Sequence, residues 1–211
     1  MIDGTVHVID DDQGVRESLV MLLDAAGMSA LAYTDAESFL GRISLTEPGC
    51  VIADVRMPGM NGLQLLRHLQ DGNMDLPVVI ITGHADVPMA VQALKEGAAD
   101  FIEKPFDDDV FLRSVRCALD HSRKVHRERC RRADIHARFI ALTPREREVM
   151  MLVVQGLPNK AAAVELGISV RTIEIHRARV MEKMAADSLS ALVRMALDLN
   201  ELGQGARPQP G

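Results

Sequence analysis

Two short runs, Cys50-Val-Ile-Ala53 and Val78-Val-Ile-Ile81, are apolar at every position. A half-buried strand needs only one apolar face, so a strand apolar at each residue has to be covered on both. The runs end abruptly, the first in Asp54 ahead of a Pro58-Gly59 turn, the second in Thr82-Gly83. A carboxylate at such a strand end meets water on one side and low dielectric on the other. Taken alone, an Asp in that place is more often a turn former or a helix cap.

The rest of the first half supplies the cover. Thr5–Ile9 is a mostly apolar run ending in Asp10-Asp11-Asp12. A helical pattern follows, with Val15, Leu19, Leu22, Leu23 and Ala26 on one face and Gly27 closing it. Ser29–Tyr33 reads as a strand, and Thr34-Asp-Ala-Glu37 has capping-box spacing for a helix carrying Phe39 and Leu40. Gly62–Leu69 is a helix with Leu63, Leu66 and Leu69 inward, and Val87–Glu96 is another. Asp100–Glu103 is a fifth strand ending at Lys104-Pro105, and a last helix opens near Asp107. Strands alternating with helices in this way predict a doubly wound α/β fold with a parallel sheet.

In such sheets ligands bind beyond the carboxyl ends of the strands. Those ends carry Asp10, Asp11, Asp54, Thr82 and Lys104. Two carboxylates about 4 Å apart repel by roughly 4 kcal/mol at an effective dielectric near 20. Three of them need a counter-ion beyond one lysine, and oxygen donors without Cys or His point to Mg2+. A carboxylate beside Mg2+ and Lys can attack a phosphoryl group, because the cations neutralise the transferred oxygens. The blander alternatives are a plain acidic cation site or solvated strand ends.

Residues 5–120 resemble the receiver domains of two-component response regulators, most strongly the FixJ type. The motifs are Val8-Ile-Asp-Asp11, Asp54-Val-Arg-Met-Pro-Gly-Met-Asn-Gly62, Thr82-Gly-His-Ala-Asp-Val-Pro-Met-Ala-Val91 and Gly97-Ala-Ala-Asp-Phe-Ile-Glu-Lys-Pro-Phe106. The resemblance implies a flavodoxin-like five-stranded receiver in which Asp54 accepts phosphate from a sensor histidine kinase. It implies that Asp11, Asp54 and the Arg56 backbone carbonyl hold Mg2+, with Asp10 acting through water. Lys104 would pair with the phosphate ahead of a cis bond to Pro105, Thr82 would move towards the new oxygens, and Phe101 would turn inward. The face of the fourth helix and fifth strand would then pair two receivers, with Val91 and Lys95 as contact residues. Gln64, often acidic in receivers, is expected to matter little.

The whole-chain net charge of −6 conceals an asymmetry. Residues 1–120 carry 8 Lys and Arg against 20 Asp and Glu, residues 121–140 carry 7 against 2, and residues 141–211 carry 9 against 8. An acidic half joined through a basic segment to a near-neutral half suggests different partners for the two ends. No Gly or Pro interrupts residues 106–143, so 121–140 is expected to be a helical connector. Its arginines suit the acidic half, DNA phosphate or plain solvent equally. The spacing of His121, His126 and His136 fits no standard metal site. Cys50, Cys117 and Cys130 read as reduced thiols, with a redox role for Cys130 open. No apolar run approaches the roughly 18 residues of a membrane span. Residues 1–30 lack a secretory pattern, so a cytoplasmic protein is expected.

In the second half Thr143-Pro-Arg-Glu146 is a capping box with Pro at the first helical position. Pro158-Asn-Lys160 opens a second helix, Gly167-Ile-Ser169 is a tight turn, and Ser169 caps a third helix to about Met184. Ile173, Val180 and Met184 form its buried stripe, and a last helix starts at Ser188. Short helix, glycine turn and longer cationic helix match a helix-turn-helix, although a small protein-binding bundle has the same periodicity. Leu142-Thr-Pro-Arg-Glu-Arg-Glu148, Gly156-Leu-Pro-Asn-Lys160 and Ile168-Ser-Val-Arg-Thr-Ile-Glu-Ile-His-Arg177 resemble the LuxR-type DNA-binding domain of the NarL–FixJ group. By position Lys160, Arg171 and Thr172 would meet phosphates, and Glu174, Ile175 and Ala178 base edges, with Arg177 and Arg179 alongside. Ala162 stands where the group usually has a larger aliphatic residue, which predicts looser packing of the second helix.

The expected organisation is a receiver over 1–120, a connector over 121–140, an all-α four-helix DNA-binding domain over 141–203 and a disordered tail over 204–211. The expected function is a phosphorylation-activated transcription regulator, not an enzyme, that dimerises and binds paired half-sites in promoter DNA. RNA polymerase is the implied further partner. Three rivals share parts of this pattern: a regulator that ignores phosphate, a phosphorelay or protein-interaction module, and a phosphatase-like enzyme.

Overall fold

The computed structural model describes residues 2–43, 47–83 and 86–205. The chain divides into two compact units, residues 1–127 and 128–211. The first unit holds β1 (Ile2–Ile9), α1 (Gln13–Ala25), β2 (Met28–Tyr33), α2 (Ala36–Leu40), β3 (Gly49–Asp54), α3 (Gly62–Asp71), β4 (Val78–Thr82), α4 (Val87–Lys95) and β5 (Asp100–Glu103). The strands are all parallel, in the order β2-β1-β3-β4-β5.

Strand periodicity explains the two layers. Val6, Val8, Cys50, Ile52, Val79 and Ile81 pack into one buried cluster with Leu19, Leu23, Phe111, Val115 and Leu119. Ile9, Val51, Ala53, Val78 and Ile80 point the other way, into a second cluster with Phe39, Leu65, Leu66, Leu69 and Ala93. The continuous apolar runs therefore serve both faces of one sheet. In α3 Leu65 is fully buried while Leu63 is only half-buried, so the inward face lies slightly off the stripe expected.

Two helix starts differ from the sequence reading. Asp35 rather than Thr34 caps α2, accepting from the Ser38 N–H at 2.7 Å, while the Thr34 hydroxyl donates to Asp35 at 2.6 Å. Gln64 is not idle: with Asn61 it forms a capping box, Asn61 Oδ1 accepting from Gln64 N at 2.8 Å and Gln64 Oε1 from Asn61 N at 3.0 Å. That box fixes the start of α3, directly after the loop that follows Asp54.

One helix, α5, runs over Asp108–Ile140 and passes the division between the units. The segment expected as a connector does not stand apart, because residues 128–140 belong to the second unit. Ile135 is buried in its core. The Arg131 guanidinium donates to Asp198 at 2.8 and 3.2 Å, and Arg138 donates to the Met184 carbonyl at 3.0 Å. These arginines are thus engaged by protein partners.

The second unit continues with α6 (Pro144–Val154), α7 (Asn159–Leu166), α8 (Val170–Met184) and α9 (Leu189–Gly205). Thr143 and Glu146 form the expected capping box, and Gly167 adopts the left-handed conformation, φ 64°, that ends α7. Ala162, expected to leave α7 loosely packed, is fully buried beside Ala163 in a core with Val149, Met150, Ile173, Val180, Met184 and Leu192. Helix α9 reaches Gly205, two residues into the expected tail, whose residues 206–211 lie outside the described residues.

Candidate functional sites

Asp54 ends β3 and is 7% exposed, and Asp10 follows β1 at 1%. Lys104, after β5, donates from Nζ to Asp10 Oδ2 at 2.7 Å and to Asp54 Oδ1 at 2.8 Å. The remaining oxygens are used as well. Asp54 Oδ2 accepts from the Arg56 N–H at 2.5 Å, and Asp10 Oδ1 from the Asp12 N–H at 2.9 Å. Gly62 abuts the Asp54 carbonyl so closely that a Cβ has no room, so α3 begins hard against the end of β3. The Lys104–Pro105 bond is cis.

Two carboxylates thus share one ammonium. Burial lifts the Asp10 carboxyl above the usual range, and hydrogen bonding and charge from Lys104 offset only part of that rise. Burial also works against the Lys104 ammonium, but its bonds to Asp10 and Asp54 outweigh this and hold its pKa above that of an ordinary lysine. Thr82 is fully buried at the end of β4, and Phe101 is half-buried against the cluster that holds Ile80.

Asp11, unlike Asp10 and Asp54, is exposed. Among the described residues no three Asp, Glu, His or Cys side chains already form a metal cluster. Asp10, Asp11 and Asp54 are therefore not gathered as a ready-made metal cage; Lys104 stands between two of them as the cation. The donor chemistry still fits a hard divalent ion, since the site offers oxygen atoms only and its carboxylates outnumber its ammonium. Two further residues have no place near this site in the sequence pattern. Arg16 donates to the Asp10 carbonyl at 2.7 Å, and Glu37 Oε1 accepts from the Met60 N–H at 3.3 Å in the loop after Asp54.

On α4 only Ala93 is fully buried. Val91 and Lys95 are exposed, and with Val87 and Leu94, 77% and 52% exposed, Val91 makes an outward apolar stripe.

In the second unit Ser169 caps α8, accepting from the Thr172 N–H at 3.1 Å. Lys160, Arg171, Glu174, Ile175, Ala178 and Arg179 are exposed. Thr172 is half-buried and its hydroxyl pairs with that of Ser169 at 2.8 Å. Arg177 departs from expectation. It is half-buried and donates to Asn159 Oδ1 on α7 at 3.1 Å. The reason is helical spacing, since Ile173, Arg177, Val180 and Met184 share the inward stripe. Glu146, 2% exposed, does more than cap α6. It accepts from Lys183 of α8 at 2.7 Å, which with the Thr143 N–H holds its carboxyl down at about 2.

Among the described residues no helix is long and apolar enough to cross a membrane. Residues 6–116 match the response regulator receiver domain, and residues 141–196 match the luxR family of bacterial regulatory proteins. The chain is 49% identical over 192 residues to the transcriptional regulatory protein FixJ of Azorhizobium caulinodans, covering 91% of each. It is 48% identical to FixJ of Rhizobium meliloti, covering 93% of this chain and 97% of that one. Among solved structures it is similar to the response regulator StyR, with a TM-score of 0.85, 38% identity and coverage of 92% of this chain and 98% of that one. Full-length FixJ from B. japonicum follows with a TM-score of 0.56, 45% identity and coverage of 95% and 99%.

Proposed function

We propose, from the premise that this chain belongs to the FixJ-like response regulators of two-component systems, that Asp54 is its phosphoryl acceptor. The observation that carries this is the Lys104 ammonium bridging Asp10 and Asp54 at 2.7 and 2.8 Å. One Asp54 oxygen attacks phosphorus on a phosphohistidine of a sensor histidine kinase, the P–N bond breaks, and the imidazole leaves. Asp11, Asp54 and the Arg56 carbonyl would hold Mg2+, with Asp10 acting through water. The ion would neutralise charge on the transferred oxygens. Lys104 then exchanges its Asp54 partner for a phosphoryl oxygen, the Thr82 hydroxyl donates to another, and Phe101 moves inward behind it.

Phosphorylation adds about −1.5 to −2 charge and three acceptor oxygens, so Lys104 and Thr82 are offered phosphoryl acceptors in one state only. The exposed Val91 and Lys95 of α4, with the neighbouring apolar stripe, would pair two receivers. Paired chains place two α8 helices on adjacent half-sites of promoter DNA. Lys160 and Arg171 meet phosphates, with Thr172 and Arg179 beside them, and Glu174, Ile175 and Ala178 face base edges. Arg177 acts by holding α7 against α8. The protein works in the cytoplasm as a regulator without turnover of its own, and activates transcription through RNA polymerase. For the domain limits we take residues 1–120 as receiver and 141–203 as DNA-binding domain, with 128–140 packed as part of the latter.

Incubation with acetyl phosphate and Mg2+, followed by mass, dimerisation and binding to its own upstream DNA, tests this reading with Asp54→Asn in parallel. Wild-type protein should gain one phosphoryl mass and bind DNA in a salt-sensitive way, and the variant should do neither. Equal phosphoryl gain by Asp54→Asn would refute the acceptor. Phosphorylation without DNA binding would favour an interaction module.

A further inference from the structure

Strand β1 delivers three consecutive carboxylates, Asp10, Asp11 and Asp12, into one turn, and their mutual repulsion opposes any ordered path. Two are committed to fixed bonds. Asp10 holds Lys104 and the Asp12 N–H. Asp12 caps α1, its Oδ1 accepting from Gly14 N at 2.8 Å and Val15 N at 3.1 Å. Asp11 is exposed and makes none of these bonds. What fixes its place is the backbone on either side.

Here Arg16 enters. It lies one turn into α1, where its N–H bonds the Asp12 carbonyl at 3.0 Å, and its half-buried guanidinium donates from Nη1 to the Asp10 carbonyl at 2.7 Å. That carbonyl belongs to the planar peptide joining Asp10 to Asp11, so holding its oxygen orients the Asp11 N–H and the start of the Asp11 residue as well. Among the described residues Arg16 forms no ion pair, although it stands beside the most acidic turn of the chain.

We propose that Arg16 is a positioning residue for the phosphoryl site. It locks the Asp10–Asp11 peptide so that Asp10 keeps Lys104 while Asp11 stays available to a divalent cation. The proposal rests on the reading of Asp11 as a metal ligand. A purely electrostatic role for Arg16 has the opposite signature, because a fixed cation beside the carboxylates competes with a metal ion and its removal would tighten metal binding.

The two signs separate in one experiment on the full chain. Arg16→Met keeps the aliphatic stem and removes the donor, whereas Arg16→Lys restores a donor and the charge. Mg2+ binding is followed by calorimetry, and hydrogen exchange is followed at the Asp12, Gly14 and Val15 amides with Val6 and Val8 as core references. Arg16→Met should bind Mg2+ about tenfold more weakly, the order of one charge-assisted hydrogen bond, and exchange faster at the three turn amides alone. Arg16→Lys should recover most of both. Mg2+ binding by Arg16→Met that matches or exceeds the wild type, or unchanged exchange in the turn, overturns the proposal. If the wild type takes up no Mg2+ while Arg16→Met still speeds exchange, the metal reading falls and the locking of the turn stands.

Discussion

Each unit buries carboxylate on a single lysine. Asp10 is 1% exposed and Glu146 2%, and each lies 2.7 Å from an ammonium. Their electrostatic states are nevertheless opposite. The Lys183 hydrogen bond, followed by the Thr143 backbone N–H, holds Glu146 down at about 2. Asp10 is lifted above the ordinary range, because burial outweighs what Lys104 returns while also serving Asp54. Glu146 has a lysine to itself and closes a capping box, which makes it a structural pair. Asp10 and Asp54 are left short of positive charge, which is the electrostatic arrangement that the proposed cation and the proposed change of partner require.

The largest effect should come from breaking the structural pair. Glu146→Gln removes the charge that Lys183 faces and weakens the α6 cap. It should lower the stability of the second unit by about 2–3 kcal/mol, below the 3–5 kcal/mol of a fully buried pair because Lys183 is partly solvated. Hydrogen exchange at α6 and α8 amides reads this locally, and protection equal to wild type would erase the contrast.

Next comes the pH dependence, where the signs oppose. Glu146 has a depressed folded pKa, so its contribution is present above its ordinary 4.5 and is lost as pH falls towards about 2. Asp10 has a raised folded pKa, so its contribution is present below its ordinary 3.8 and is lost as pH rises through the raised value. Protection of α6 and α8 should therefore fall between pH 4.5 and the acid limit in wild type and stay flat in Glu146→Gln. An equal slope in both would assign the acid loss elsewhere.

A smaller change of opposite direction is expected where Asp10 and Asp54 share Lys104. Asp54→Asn removes one of two carboxylates that share Lys104, and with it a repulsion that raises Asp10. The weakened bonds to Lys104 and the Arg56 N–H cancel most of that gain. The first unit should become about 1 kcal/mol more stable without Mg2+, measured by exchange of β3 and β4 amides. Destabilisation as large as that of Glu146→Gln would mean that the two pairs are built alike.

What was legible in the sequence follows from how each group is held. Asp10, Asp54, Thr82 and Lys104 were readable because strand ends are marked by a change from apolar to polar residues, and a parallel sheet brings such ends to one edge. The lysine bridge between two carboxylates is a tertiary distance and had no local signal. Gln64 and Asp35 were misjudged because competing side chains offered similar caps one residue or one role apart. Arg16 left a faint trace, a cation one turn after three acids. Arg177 has the spacing from Ile173, Val180 and Met184 that puts it on the inward stripe, but its charge suggests the exposed face, so phase and charge give conflicting signals.

That inward position yields the finest test, because it sets a cation bonded to Asn159 against an exposed one on the same helix. Arg179 is exposed, whereas Arg177 donates to Asn159 at 3.1 Å. If Arg179 meets phosphate, Arg179→Ala should weaken binding to all sequences and reduce the salt slope of log K by about 1. Arg177→Ala should leave the slope nearly unchanged and instead loosen α7 on α8, seen as faster exchange in α7. A salt slope that drops equally for both would mean that the Asn159 contact yields to DNA, and that a cation bonded inside the protein can still be recruited by phosphate.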